Sequence, residues 1–192
     1  MQKTLIIVAF VAMCVAQWFI PFKTIVDQEA ILSEGRLFKL QTVPIDPSDP
    51  FRGKYITLRF VEDHVLVPHP QDWVGHEYMY ITLADSAGYG RISRASLYEQ
   101  EGDDYIKVRI ANVYTHNLPG TVIVEYPFER YYLEESKASE AERLYWESQL
   151  DSVRQDVYAT IRVHHGKAAL ENVMINDRPI TDIVREMNSK AE

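Results

Sequence analysis

The chain has 192 residues, with 20 Lys plus Arg against 28 Asp plus Glu, and a formal net charge of −8. That balance disfavours non-specific nucleic-acid binding, which needs clustered positive charge to displace phosphate counterions. Hydrophobic residues at 46% argue against intrinsic disorder, and the single cysteine, Cys14, excludes an internal disulfide framework or a multi-cysteine zinc site.

Residues 4–22 read TLIIVAFVAMCVAQWFIPF and carry no charged side chain. About 20 apolar residues cross a bilayer as a helix, so the stretch qualifies as a span. Lys3 and Lys23 flank it, and Trp18, Phe19 and Phe22 sit at its distal end, where an aromatic belt would place them. Three readings compete. The first is a retained single-pass anchor over residues 1–23. The second is a signal peptide cleaved after Ala16. The third is a lipoprotein signal ending at Cys14, which Met13 disfavours as a large residue before the lipidated cysteine. The positive-inside rule gives almost no bias, since one lysine lies on each side. The three-residue lead-in resembles a secretory start, which places residues 24–192 outside the cytoplasm as a single β-rich domain. A cysteine confined to the span suits an oxidising compartment.

Residues 23–35 have helical spacing, with Gly35 as a C-cap, and read as a short helix continuing from the anchor. Strand periodicity then begins. Residues 36–43 alternate Leu37, Lys39, Gln41 and Val43 against Phe38, Leu40 and Thr42. Residues 54–61 place Tyr55, Thr57 and Arg59 on one face and Ile56, Leu58 and Phe60 on the other, better core face. Three prolines among residues 44–50 make the connection between these strands stiff. Residues 64–76 read as a longer loop. Further strands are predicted over 77–84, 91–97, 105–114 and 121–126, separated by Gly, Asp and Ser turns at 85–90 and 101–104.

Ser139 and Glu142 fit a capping box, predicting a helix from there to about residue 156, with Trp146, Leu150, Val153 and Val157 on its apolar stripe and Arg143 in reach of Glu140 or Glu147. Strands over 157–164 and 167–175, joined at His165-Gly166, follow, and Asn176-Asp177 is another turn. The remaining tail is helical or frayed. The expected fold class is mainly β (α+β): an N-terminal transmembrane helix, then an antiparallel β-sandwich or barrel-like domain with one inserted amphipathic helix.

The stretch PIDPSDPFRGKYITLRF resembles the signature of the GDYXXLXY protein family. The matching window is Gly53, Lys54, Tyr55, Ile56, Thr57, Leu58, Arg59 and Phe60. Gly53, Tyr55 and Leu58 agree with the pattern, Lys54 stands for its Asp, and Phe60 for its final Tyr. Pro44, Asp46, Pro47 and Arg52 resemble the lead-in, and residues 126–135 resemble a later segment with an aromatic pair and a glutamate. The resemblance implies a bacterial membrane-anchored protein of unassigned activity, occurring beside multi-spanning membrane proteins. It carries over no catalytic residue, and an acid-dependent mechanism at the second motif position cannot operate with Lys54 there.

The candidate ligand or partner residues are Asp46, Asp49, Arg52, Gly53, Tyr55, Arg59, Glu129, Tyr131 and Tyr132. Asp46 and Asp49 suit Asx turns, and Arg52 can pair with either of them. Gly53 suits a positive-φ turn. Glu129, Glu134 and Glu135 are placed to meet Arg52 or Arg130, as helix-end charges or as an acid pair. His64, His69 and His76 share one segment and His164-His165 are adjacent, but neither has the spacing of a zinc hydrolase, and neighbouring strand histidines point to opposite faces. No cofactor or metal is expected. Three functions are open. One is an accessory subunit anchored in the bacterial cytoplasmic membrane, with an integral-membrane partner. The second is a module that binds envelope glycan through exposed tyrosines. The third is an envelope hydrolase built from Asp46, Arg52, Tyr55 and Glu129, which requires these groups to converge in one cleft.

Overall fold

The computed structural model describes residues 2–43, 55–102, 104–116, 118–133, 135–150 and 155–191. Helix α1 (Gln2–Glu34) is continuous, so the apolar run and the following helical segment form one rod. At 1.5 Å per residue, its residues 4–22 are about 28 Å long, the thickness of a hydrocarbon core. Among the described residues it is the one helix long and apolar enough to cross a membrane. Pro21 withdraws one backbone donor where the apolar run ends, yet the helix continues.

The rest of the fold is antiparallel. One sheet runs β12 (Arg178–Pro179), β11 (Lys167–Ile175), β10 (Val157–His164), β1 (Arg36–Val43) and β3 (Arg59–Phe60). A second runs β4 (His64–Val67), β8 (Gly120–Glu125), β7 (Tyr105–Tyr114), β5 (Tyr78–Ser86) and β6 (Tyr89–Ser96). A ribbon of β2 (Tyr55–Thr57) and β9 (Arg130–Tyr132) connects at their margin. Helices α2 (Glu135–Leu150) and α3 (Ile180–Ala191) pack on each other.

The mainly β fold class holds, and one sheet is nearly barrel-shaped. Its curvature has visible causes. Register shifts between Thr82 and Leu83 and between Ile110 and Asn112 mark bulges, which increase local twist and bend a sheet. The edge strands β4 and β6 approach each other. Glu62, just before β4, closes this seam: its carboxylate accepts from Arg91 Nη1 at 2.6 Å and from the Ile92 backbone N–H at 3.0 Å. Charge-assisted bonds of this kind are about twice as strong as neutral ones.

The core lies between the sheets. Phe38, Leu40 and Thr42 form the buried face of β1, and Gly90 of β6 lets the chains approach: a Cβ there would lie 3.2 Å from Leu40 and 3.3 Å from Phe38. Tyrosines line the core with their rings and reach acids at its rim with their hydroxyls. Tyr89 donates to Asp156 at 2.5 Å, and burial with that carboxylate pushes its phenol up to about 12. Tyr105 donates to Glu99 at 2.6 Å, and Tyr158 to Asp177 at 2.5 Å.

Several local expectations are corrected. The predicted strand over 54–61 is broken after Thr57: β2 pairs with β9 and β3 pairs with β1, so Leu58 is a crossing point between two partners. Residues 64–76 are not a plain loop; they contain β4 and a 3₁₀ turn (Pro70–Trp73). Helix α2 begins at Glu135, which leaves Ser139 inside the helix rather than at its cap. Its buried face carries Ala141, Tyr145 and Ser148, while Trp146 is only half-buried. Leu150 and Val153 lie outside the described side chains, and Val157 belongs to β10. Arg143 pairs with Glu147 at 3.7 Å. His164 and His165 do not point to opposite faces: His165 sits in the turn at φ 46°, and the two rings meet at 4.2 Å.

Candidate functional site

The break at Leu58 opens a groove among the described residues. Where the chain leaves β2 for β3, a groove of about 300 Å³ opens against β8 and the bulge at Ala111. Its floor is apolar, formed by Leu58, Phe60, Ile123, Val124 and Tyr126. Arg59, Asp63, Glu125 and Glu129 contribute its charge. Beneath it, Phe60, Tyr126 and Phe128 form a ring cluster with centroids 5.1 to 5.7 Å apart. Tyr126 donates to the Glu62 carbonyl at 2.5 Å, and burial holds its phenol protonated far above the ordinary range.

The charges are unequal in their partners. Asp63 is nearly buried; it contacts His64 and lies 3.5 Å from Arg59 Nε. Glu125 accepts from Arg109 Nε at 2.8 Å and from a second guanidinium nitrogen. Glu129 forms no ion pair among the described residues. Burial pushes its carboxyl above the usual range, the neighbouring Glu125 charge adds to that, and a backbone hydrogen bond with Tyr126 opposes it, as do the more distant Arg109 and Arg59. Its backbone carbonyl is used structurally, accepting from Leu58 N–H at 2.8 Å.

The raised carboxyl has a pH consequence. The folded protein holds the Glu129 proton more tightly than the unfolded chain, so stability falls as pH rises through the carboxylate range and the deficit is complete above the folded value. Glu129→Gln removes that deficit. The variant is expected to melt higher than the parent at pH 7, with the gap closing at pH 4, measured by thermal unfolding at both pH values.

Of the residues predicted for the site, Arg59 and Glu129 both line the groove without pairing with each other. Tyr55 and Tyr132 lie on the β2–β9 ribbon, opposite each other in register, with rings 5.6 Å apart. Arg130 covers the Tyr55 ring at 4.9 Å and hydrogen-bonds Tyr132. Tyr131 points the other way, as period two demands: it is half-buried and its hydroxyl reaches Asn172 Oδ1 at 3.5 Å. Tyr55 is not among the residues that line this groove. Asp46, Asp49, Arg52, Gly53 and Glu134 lie outside the described residues, as do the side chains of Glu135 and Ser139. Sequence reasoning missed Asp63, Glu125 and the Ile123–Val124 floor. Glu125 lies inside the strand predicted over 121–126 and Asp63 just before the loop predicted over 64–76, so no local pattern connects them.

Among the described residues no three His, Cys, Asp or Glu side chains are placed to hold a metal ion. The family model for the GDYXXLXY protein matches residues 17–173. The chain belongs to the GDYXXLXY protein family. Searches of curated proteins and of solved structures return no match. The family's motif window starts before the described part of β2 and ends at Phe60, so Tyr55 through Phe60 of that window build the ribbon, the crossing point and one wall of the groove.

Proposed function

We propose that this GDYXXLXY protein is a single-pass protein of the bacterial cytoplasmic membrane, anchored by residues 4–22. Residues 24–192 form one β-rich unit on the extracytoplasmic side and serve as an accessory subunit of a multi-spanning membrane protein. The observation that carries this reading is the form of α1. Its first part exposes apolar side chains, among them Ile6, Phe10, Trp18, Phe19 and Ile20. Its last turns are held on the domain. Ile31 is buried, Asp27 pairs with Lys167 Nζ at 2.8 Å, and Arg162 donates to the Gly35 carbonyl at 3.2 Å. The Asp27 carboxyl is held below its usual range by Lys167.

The same form weighs against cleavage after Ala16. A chain shortened there would keep Trp18, Phe19, Ile20, Phe22 and Ile25 on a helix exposed to water, each at least 66% accessible. Contiguous exposed apolar surface of that kind marks membrane or protein contact. Asp27 lies five residues past Phe22, about 7 Å along the helix axis. The β10–β11 turn would therefore sit close to the headgroups, and the domain would be fixed near the bilayer rather than on a loose tether. Its negative charge repels it from an anionic surface, so a protein partner is the better companion there.

The test is made in cells. The chain is expected to stay in the membrane pellet after alkaline carbonate, to lose its domain to protease added to spheroplasts, and to crosslink from the Trp18 position to a multi-spanning protein. Release into the carbonate supernatant removes the anchor. Crosslinking that repeatedly yields only the uncombined chain removes the subunit role.

A further inference from the structure

Among the described residues, the β3–β8 groove carries one more acid than its neighbouring arginines engage. Arg59 is engaged with Asp63, and Arg109 with Glu125. Glu129 remains without a paired cation among the described residues, beside an apolar floor. We propose that this groove binds an organic cation, an alkylammonium or guanidinium head on a short apolar stem, with the head on Glu129 and the stem along Leu58, Ile123 and Val124.

Three alternatives fit the groove less well. An anion would meet Glu129, Glu125 and Asp63 while both nearby arginines are already engaged. A hard divalent ion needs several converging oxygens, and no such group forms among the described residues. A neutral apolar ligand would leave Glu129 desolvated and unpaired, which is costly. A volume of about 300 Å³ is at the small end for ligand pockets and suits one side chain or a small amine. The raised Glu129 carboxyl agrees with this, since an arriving cation favours its ionised form. Two sources supply the chemistry: a lysine or arginine side chain of another protein, or a free amine. The inference stands whether or not the chain is membrane-anchored.

The test uses the full chain in mild detergent at pH 7, labelled at glutamate side-chain carboxyl carbons, with the Glu129 resonance assigned through Glu129→Gln. The probes are n-butylammonium, acetyl-Gly-Lys-Gly-amide and, as the uncharged counterpart, n-butanol. Both cations are expected to move the Glu129 resonance saturably and n-butanol is not. Glu129→Gln, folded by its melting temperature, is expected to bind about tenfold or more weakly by calorimetry. Glu101→Gln, an exposed acid in the β6–β7 connection, keeps full binding. Tighter binding of the peptide supports a protein side chain as the natural occupant, and equal binding supports a free amine. No saturable shift with either cation, n-butanol binding as well as they do, or undiminished binding by Glu129→Gln overturns the proposal.

Discussion

Phe60→Ala is expected to cost about 3–5 kcal/mol of unfolding free energy, the range for deleting a buried aromatic ring. Phe60 is 2% exposed and joins three sets of contacts. Its ring meets Tyr126 edge-on at 5.1 Å and Phe128 at 5.7 Å, and its backbone in β3 pairs with Thr42 of β1. It also floors the groove. Removing it leaves a cavity that β-strands on both sides cannot fill, because each is held in register by its own ladder. Urea unfolding followed by tryptophan fluorescence checks the loss; a decrease under about 1 kcal/mol would mean that the cluster collapses around the gap. Phe60→Tyr, which restores the family's residue at this position, tests how well the site tolerates a hydroxyl. The ring volume is kept and only a buried hydroxyl is added, so a milder loss than for alanine is expected.

Gly35→Val is expected to cost about 3 kcal/mol and to loosen the seating of α1 on the domain. Gly35 N–H closes the helix on the Ile31 carbonyl at 2.9 Å. A Cβ on Gly35 would lie 2.3 Å from that oxygen, 3.1 Å from Arg162 Cβ and 3.2 Å from Val163 N. Nothing at the far end of a flexible chain can give way there, since two of the three neighbours are backbone. Either the helix end unwinds or β1 moves off β10. Spin labels at Gln28 and Glu171 would report this as a broadened distance distribution, alongside the lower melting temperature. An unchanged distribution with unchanged stability would show that the junction bears no such constraint. The result matters for function, because a domain held rigidly on its helix presents one fixed surface to a membrane partner, and a hinged one does not.

The local chemistry of the chain set much of the fold. The strands over 36–43, 105–114, 157–164 and 167–175 end where alternation and turn residues say they should. The turns after β10 and β11 use His165-Gly166 and Asn176-Asp177 in positive-φ conformations that suit tight hairpins. The continuous α1 follows from an apolar run joined without a break to a helical segment. Expectation failed at the start of α2 and within residues 54–61. The capping box at Ser139 is a genuine local signal, but the helix starts a turn earlier. The uniform alternation over 54–61 conceals a change of partner at Leu58, since β9 and β1 each take half of it.

The sequence by itself determined the apolar helix, the faces of most strands, the turns and the membership in the GDYXXLXY protein family, because period, charge and turn chemistry are properties of neighbouring residues. The tertiary structure alone decided the strand order, the Glu62 seam, the docking of α1 and the groove. Those depend on residues far apart in the chain coming together, such as Phe60 with Tyr126 in the core or Glu129 with Arg59 along the groove. Pairing partners are chosen by the burial of whole sheet faces, and the environment that half-buries Glu129 and raises its carboxyl exists only once those faces have closed.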